Sequence, residues 1–166
     1  GNDLSKIANE LNKLAINLAP GTLVSLQHIE ENIGISKDYN VFELQKALGL
    51  RDVVKSNRIV KYFTANPKVN PLPVLIGSLY NYFSKIYLLH FLKNKTDQEL
   101  QNALGLRSGF FLKEYKAASR VYSLKRTEWV IHVLKEFDLK SKGVDYISTG
   151  KPEGELLKEM VWKILH

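Results

Sequence analysis

LPVLIGSLYNYFSKIYLLHFL, residues 72–92, is apolar on nearly every side of a helix. A membrane span needs about 20 residues with few polar groups. Here Asn81, Ser84, Lys85 and His90 interrupt the run, so a span is rejected. What remains is a helix buried in a bundle or shared between subunits.

The flanking sequence supplies the rest of such a bundle. Upstream, Asn66-Pro67-Lys68-Val69-Asn70-Pro71 denies both helix and sheet pairing and is the expected domain boundary, separating modules 1–66 and 71–166. Before it, Leu4, Ile7, Leu11, Leu14 and Leu18 recur at helical spacing until Pro20-Gly21. Short helices follow at about 25–33 and 41–48. A longer one at 51–65 sets Val53, Ile59, Val60 and Phe63 opposite Arg51, Lys55 and Arg58. Downstream, helices are expected at about 96–104, 109–122, 124–141 and 153–165. Strand-like alternation never persists, so the class is all-α.

With 45% hydrophobic and 25% charged residues, the composition is that of an ordinary globular protein. The absence of cysteine excludes a disulfide framework, a thiolate metal site and a cysteine nucleophile, and fits a reducing, cytoplasmic setting. The net charge of +7 is uneven: residues 1–70 hold nine basic and seven acidic groups, residues 71–166 fifteen and ten. Such a field favours a polyanionic neighbour or simply solubilises the surface. The chain opens Gly1-Asn2-Asp3 without a Met or a signal peptide, and is expected to be a piece of a longer protein.

One word occurs twice. ELQKALGLR fills 43–51 and ELQNALGLR fills 99–107, identical at eight of nine positions. The flanks differ, so the copies read as convergent helix endings rather than a repeated unit. In each, a strong helix former is expected to close on a left-handed glycine, Gly49 or Gly105, with the next Leu folding back.

Chemical motifs are sparse. His28, His90, His132 and His166 are scattered without metal-ligand spacing, and His90 and His132 read as core or interface residues. Glu155 and Glu159 suit a solvated helix face. Thr149-Gly150-Lys151 fails as a phosphate loop, because Asp145 replaces the first glycine and Pro152 the hydroxyl. Between Arg107 and Arg126 stand six basic groups and the single acid Glu114. Lys113, Lys116 and Arg120 share a stripe that could track phosphates or be a solvated face. Tyr146 could stack on a base or pack over the bundle end.

The order of signals resembles the delta subunit of the bacterial DNA polymerase III clamp loader. Gly1-Asn2-Asp3-Leu4, then Glu10-Leu11 and Lys13-Leu14 before a Pro-Gly break, is similar to a helix of that family's lid. Ile29-Glu30, then Val41-Phe42-Glu43-Leu44 and Ala47-Leu48-Gly49, resembles the approach to the last lid helix. Residues 72–92 resemble the long helix that opens the collar. Phe137-Asp138-Leu139-Lys140 and Glu155-Leu156-Leu157 are similar to its closing elements.

The resemblance implies partial AAA+ lid helices at 1–66 and a five-helix collar, the oligomerisation domain, at 71–166. It implies no ATP chemistry, no cofactor and no catalytic or metal site. The partners would be delta-prime and the ATPase subunits (gamma/tau) through the collar, the sliding clamp through a missing N-terminal domain, and primed DNA, with no membrane. Tyr80, Phe83, Tyr87, Trp129 and Trp162 become candidates for subunit contacts. The family carries a collar tyrosine near the primer–template junction, after a Leu-Lys pair. This makes Tyr146, which follows Leu139-Lys140 at a longer spacing, a DNA-contact candidate with Lys140, Lys142, Lys113, Lys116 and Arg120. The alternative is a freestanding nucleic-acid-binding module built on the 107–126 stripe.

Overall fold

Polar residues able to accept a backbone N–H stand ahead of most of the helices. The computed structural model describes residues 4–25, 28, 39–68, 70–144 and 153–166, and every regular element among them is helical. The elements are α1 (Leu4–Asn17), α2 (Val41–Gly49), α3 (Val53–Ala65), α4 (Leu72–Leu89), α5 (Asp97–Leu104), α6 (Gly109–Val121), α7 (Leu124–Ser141) and α8 (Glu153–Leu165). Asn40 caps α2 through Phe42 and Glu43, and Asp52 caps α3 through Lys55 at 2.9 Å. Thr96 and Glu99 form a reciprocal capping box on α5, while Ser108 and Ser123 cap α6 and α7. Each cap satisfies N–H groups that the first helical turn cannot.

The chain divides into two compact units, Gly1–Asp38 and Tyr39–His166. In the first, α1 buries Leu14 and ends before Pro20-Gly21, where Gly21 takes φ +84 and Thr22 bonds back to the Ala19 carbonyl at 2.7 Å. The expected helix at about 25–33 falls almost wholly outside the described residues.

The second unit is built around α4, which packs against α2, α5, α6, α7 and α8. Leu75, Ile76, Leu79, Tyr82, Phe83 and Ile86 of this helix enter one core with Leu48 of α2, Phe63 of α3, Phe137 of α7 and Met160 of α8. A smaller cluster of Leu100, Leu104 and Leu112, with Leu89 and Leu92 against it, holds α5 and α6 to the end of α4. The chain turns after Leu89 rather than at residue 92, which lets Leu92 join that cluster.

Packing does not part at Asn66–Pro71. Helix α3, ahead of the prolines, lies against α8 beyond them, and Phe63 and Leu72 belong to the same core. The prolines end α3 and start α4, as their fixed φ and missing N–H require, within one unit. The carboxyl end of α8 is then tied down by two arginines. Arg126 donates to the Lys163 and Ile164 carbonyls at 3.2 and 3.0 Å, and Arg51 donates to the Leu165 carbonyl. These carbonyls have no partner inside the helix and carry its negative pole, so guanidinium groups suit them.

Candidate assembly surface

Helix α4 has a bare side as well as a buried one. Opposite the core set, Val74, Gly77, Tyr80 and Asn81 are exposed at three- and four-residue steps, and Leu88 and Phe91 continue the line two turns further on. The helix contains no acid and one base, Lys85, whose ammonium sits 5.9 Å over the Tyr115 ring. Tyr80 forms a ridge between two grooves. One runs towards α7 over Ile76, Gly77, Leu134, Lys135 and Asp138, the other towards α5 over Ser84, Lys85, Leu88, Ala103 and Leu104, so charges stand only at the rims. A Cβ on Gly77 would meet nothing within 4 Å, so a second backbone can approach there. A face of this kind loses little hydration free energy when covered, whereas stranded charges would cost several kcal/mol.

The predicted contact residues divide accordingly. Tyr80 is on the bare face, and Tyr87 is half-buried with its ring 5.1 Å from Phe91. Phe83 is different: it is 0% exposed in the core against Tyr82 and Tyr122, so it supports the face from within and cannot itself touch a neighbour. Trp129 and Trp162 are exposed, and each lies flat against a histidine, His132 at 5.9 Å and His166 at 4.9 Å. His132 is therefore a surface group rather than a core one. Sequence reasoning missed Val74, Gly77 and Leu88. The available signal was their spacing, out of phase with the buried set at 75, 76, 79, 83 and 86.

The basic candidates are sorted by their partners. Lys116 is paired with Asp97 at 2.5 Å, Lys142 with Asp138 at 2.6 Å, and Lys140 with Glu136 at 2.6 Å. Lys163 also reaches Glu136 at 3.1 Å, and the ammonium groups of Lys140 and Lys163 lie 4.6 and 5.2 Å from the Phe137 ring. Hydrogen bonding from Lys140 holds the Glu136 carboxyl below the usual carboxylate range; partial burial opposes this and Lys163 assists. This network staples α7 to α8. Lys113 and Arg120 are exposed and have no such partner among the described residues. Tyr146 and Thr149-Gly150-Lys151 lie outside the described residues.

Titratable groups inside the unit are structural. Burial pushes the Tyr122 phenol up to about 12 against the pull of Arg51 and Arg126, and its hydroxyl donates to the Leu48 carbonyl at 2.8 Å. Burial likewise raises the Tyr82 phenol, whose oxygen has no hydrogen-bond partner. Among the described residues no three His, Cys, Asp or Glu side chains converge as metal ligands. No helix among them is long and apolar enough to cross a membrane.

This architecture is an all-helical fold of the clamp-loader-collar kind. The solved structure of the Bacillus subtilis DNA clamp loader delta protein (YqeN) is similar, with a TM-score of 0.57 and 22% sequence identity over 98% of this chain. The match spans 46% of that protein's length. No family model and no curated protein matches the chain.

Proposed function

We propose that this chain belongs to a clamp-loader subunit of the delta type, a non-catalytic component of the ring that opens a sliding clamp and loads it onto primed DNA during replication. The observation that carries this reading is the nearly uncharged outer face of α4, in a fold shared with a clamp loader delta protein. A ring of unlike subunits needs a surface on each member that desolvates cheaply and fits a neighbour's backbone. Val74, Gly77, Tyr80 and Leu88 supply one, with Trp129 and Trp162 as further anchors.

On this reading residues 1–66 derive from an AAA+ lid and 71–166 form the collar, although the two segments share a core from Tyr39 onward. The collar would meet delta-prime and the gamma/tau ATPase subunits. The clamp would be engaged by a domain of such a subunit outside these 166 residues. Lys113 and Arg120, with Tyr146, Lys116, Lys140 and Lys142 as weaker candidates, would lie towards DNA in a cytoplasmic replication assembly.

The test is co-purification of the full-length protein with delta-prime and the ATPase subunit. Gly77→Glu and Tyr80→Glu each place a carboxylate on the α4 face at an exposed position. Each should weaken the complex at least about tenfold, the equivalent of ~1.4 kcal/mol, while leaving the melting temperature within a few degrees. A complex indifferent to both overturns the reading.

A further inference from the structure

Helix α6 presses Leu112 and Ala118 inward, against neighbours that include α2, α4 and α5. Its outward positions 110, 113, 117 and 120 succeed one another at three, four and three residues, so they form one stripe. Phe110 is 69% exposed and Phe111 47%, their rings in edge contact with centroids 5.8 Å apart. Lys113 and Arg120 stand on the stripe, and Arg107 is exposed just ahead of it.

Among the described residues, eight other cations of the second unit are engaged, whereas Lys55, Arg58, Lys61, Lys93, Lys125 and Lys135, among others, are not. Lys95, Lys116, Lys140, Lys142, Lys158 and Lys163 hold carboxylates, and Arg51 and Arg126 hold carbonyls. Arg107, Lys113 and Arg120 have none of these contacts among the described residues. The one acid between 107 and 121 is Glu114, half-buried, with its carboxyl pushed up by that burial. Helix α6 thus presents cations and an aromatic ring with no exposed carboxylate of its own; the exposed Asp97 of α5 stands beside them, paired with Lys116.

Three partners could cover it. An apolar protein surface would strand three cations without counter-ions. An acidic helix would pair the cations and leave the rings unexplained. A nucleic-acid single strand answers both features, since phosphates pair with the cations and an unstacked base lies against a phenyl ring. A duplex would offer phosphates alone, its base faces being already stacked.

We propose that the outward face of α6, with Arg107, binds single-stranded nucleic acid, Phe110 serving as the stacking platform, braced edge-on by Phe111, and Arg107, Lys113 and Arg120 as phosphate contacts. The site is distinct from the α4 face, so its failure would leave the assembly reading intact.

The experiment is fluorescence anisotropy of the full-length protein with a labelled oligo-dT strand and with a blunt duplex of equal length. Phe110→Ala and Phe110→Leu should each weaken strand binding about tenfold, while Phe110→Trp keeps it; the leucine separates stacking from mere apolar contact. Lys113→Gln and Arg120→Gln should each lower the slope of log K against log salt by about 0.7. Lys158→Gln, whose partner is Glu155 on α8, should leave strand binding unchanged. Circular dichroism checks that each variant is folded. Strand binding indifferent to both Phe110→Ala and Phe110→Leu overturns the proposal. Equal affinity for the duplex, or equal competition by polyglutamate, does so too, and in the last case assigns the face to an acidic protein.

Discussion

Residues Glu43–Arg51 and Glu99–Arg107 differ at one position, yet they end their helices in two different places. In the second copy Gly105 takes φ +61, its N–H donates to Asn102 and the Leu106 N–H donates to Gln101. That is the two-bond helix stop expected of a left-handed glycine. In the first copy the same pair of bonds appears two residues later: Arg51 donates to Leu48 and Asp52 to Ala47, and Arg51 itself takes φ +52. Gly49 stays inside the helix. It serves there as a gap, since a Cβ on it would fall 2.1 Å from the Tyr82 hydroxyl and 3.2 Å from the Ala118 Cβ. The expected left-handed Gly49 is therefore corrected. The same glycine provides backbone freedom in one copy and absence of a side chain in the other.

The cause lies in what each copy packs against. Ala47 and Leu48 are buried in the main core, where Tyr122 bonds the Leu48 carbonyl, and Gln45 reaches the Ser78 carbonyl at 3.0 Å. In the second copy only Leu100 and Leu104 are buried, Ala103 is exposed, and Gly105 faces open space.

Substitutions at matched positions can break this comparison. The largest contrast should come from the two alanines. Ala47→Asp buries a carboxylate without a partner and should unfold the unit or cost more than about 3 kcal/mol, while Ala103→Asp should stay within about 0.5 kcal/mol. Urea denaturation followed by circular dichroism would measure both, and similar losses would refute the burial difference.

The glycines come next. Gly49→Ala should cost about 1–3 kcal/mol by overpacking, and Gly105→Ala about 1 kcal/mol by strain alone. Tyr82→Phe removes the obstructing, unbonded hydroxyl, so in a double-mutant cycle it should recover part of the Gly49→Ala loss and none of the Gly105→Ala loss. Strict additivity with Gly49→Ala would show that the hydroxyl is not the obstacle.

The arginines give the smallest effect on stability. Arg51→Ala gives up the Leu165 carbonyl and keeps the positive φ, for about 1 kcal/mol. Arg51→Gly relieves the φ and should cost less. Arg107→Ala should leave the urea midpoint unchanged, though it weakens single-strand binding at the α6 face.

Much of the fold was legible because its signals are local. The capping residues Asn40, Asp52, Thr96, Ser108 and Ser123 stand one position ahead of helices whose apolar spacing announces them. Parts of the candidate surfaces were legible too. Lys140–Glu136 and Lys142–Asp138 are four residues apart on one helix, so their pairing could have been anticipated from spacing alone. Lys116–Asp97 and Lys163–Glu136 join different helices across 19 and 27 residues, and no periodicity carries that information. The same holds for Phe83, whose type suits an interface as well as a core.

The sequence by itself determined the all-helical class, the turns at Pro20-Gly21 and Asn66–Pro71, and nearly every helix boundary among the described residues. Those features depend on caps, φ restrictions and 3.6-residue periodicity, all of which act within a turn or two of the chain. Only the tertiary structure decided which side of α4 stays bare, which cations remain free on α6, and where each copy of the repeated word stops. Each of those outcomes is a competition between distant groups for the same space or the same charge, and it is settled only when the helices meet.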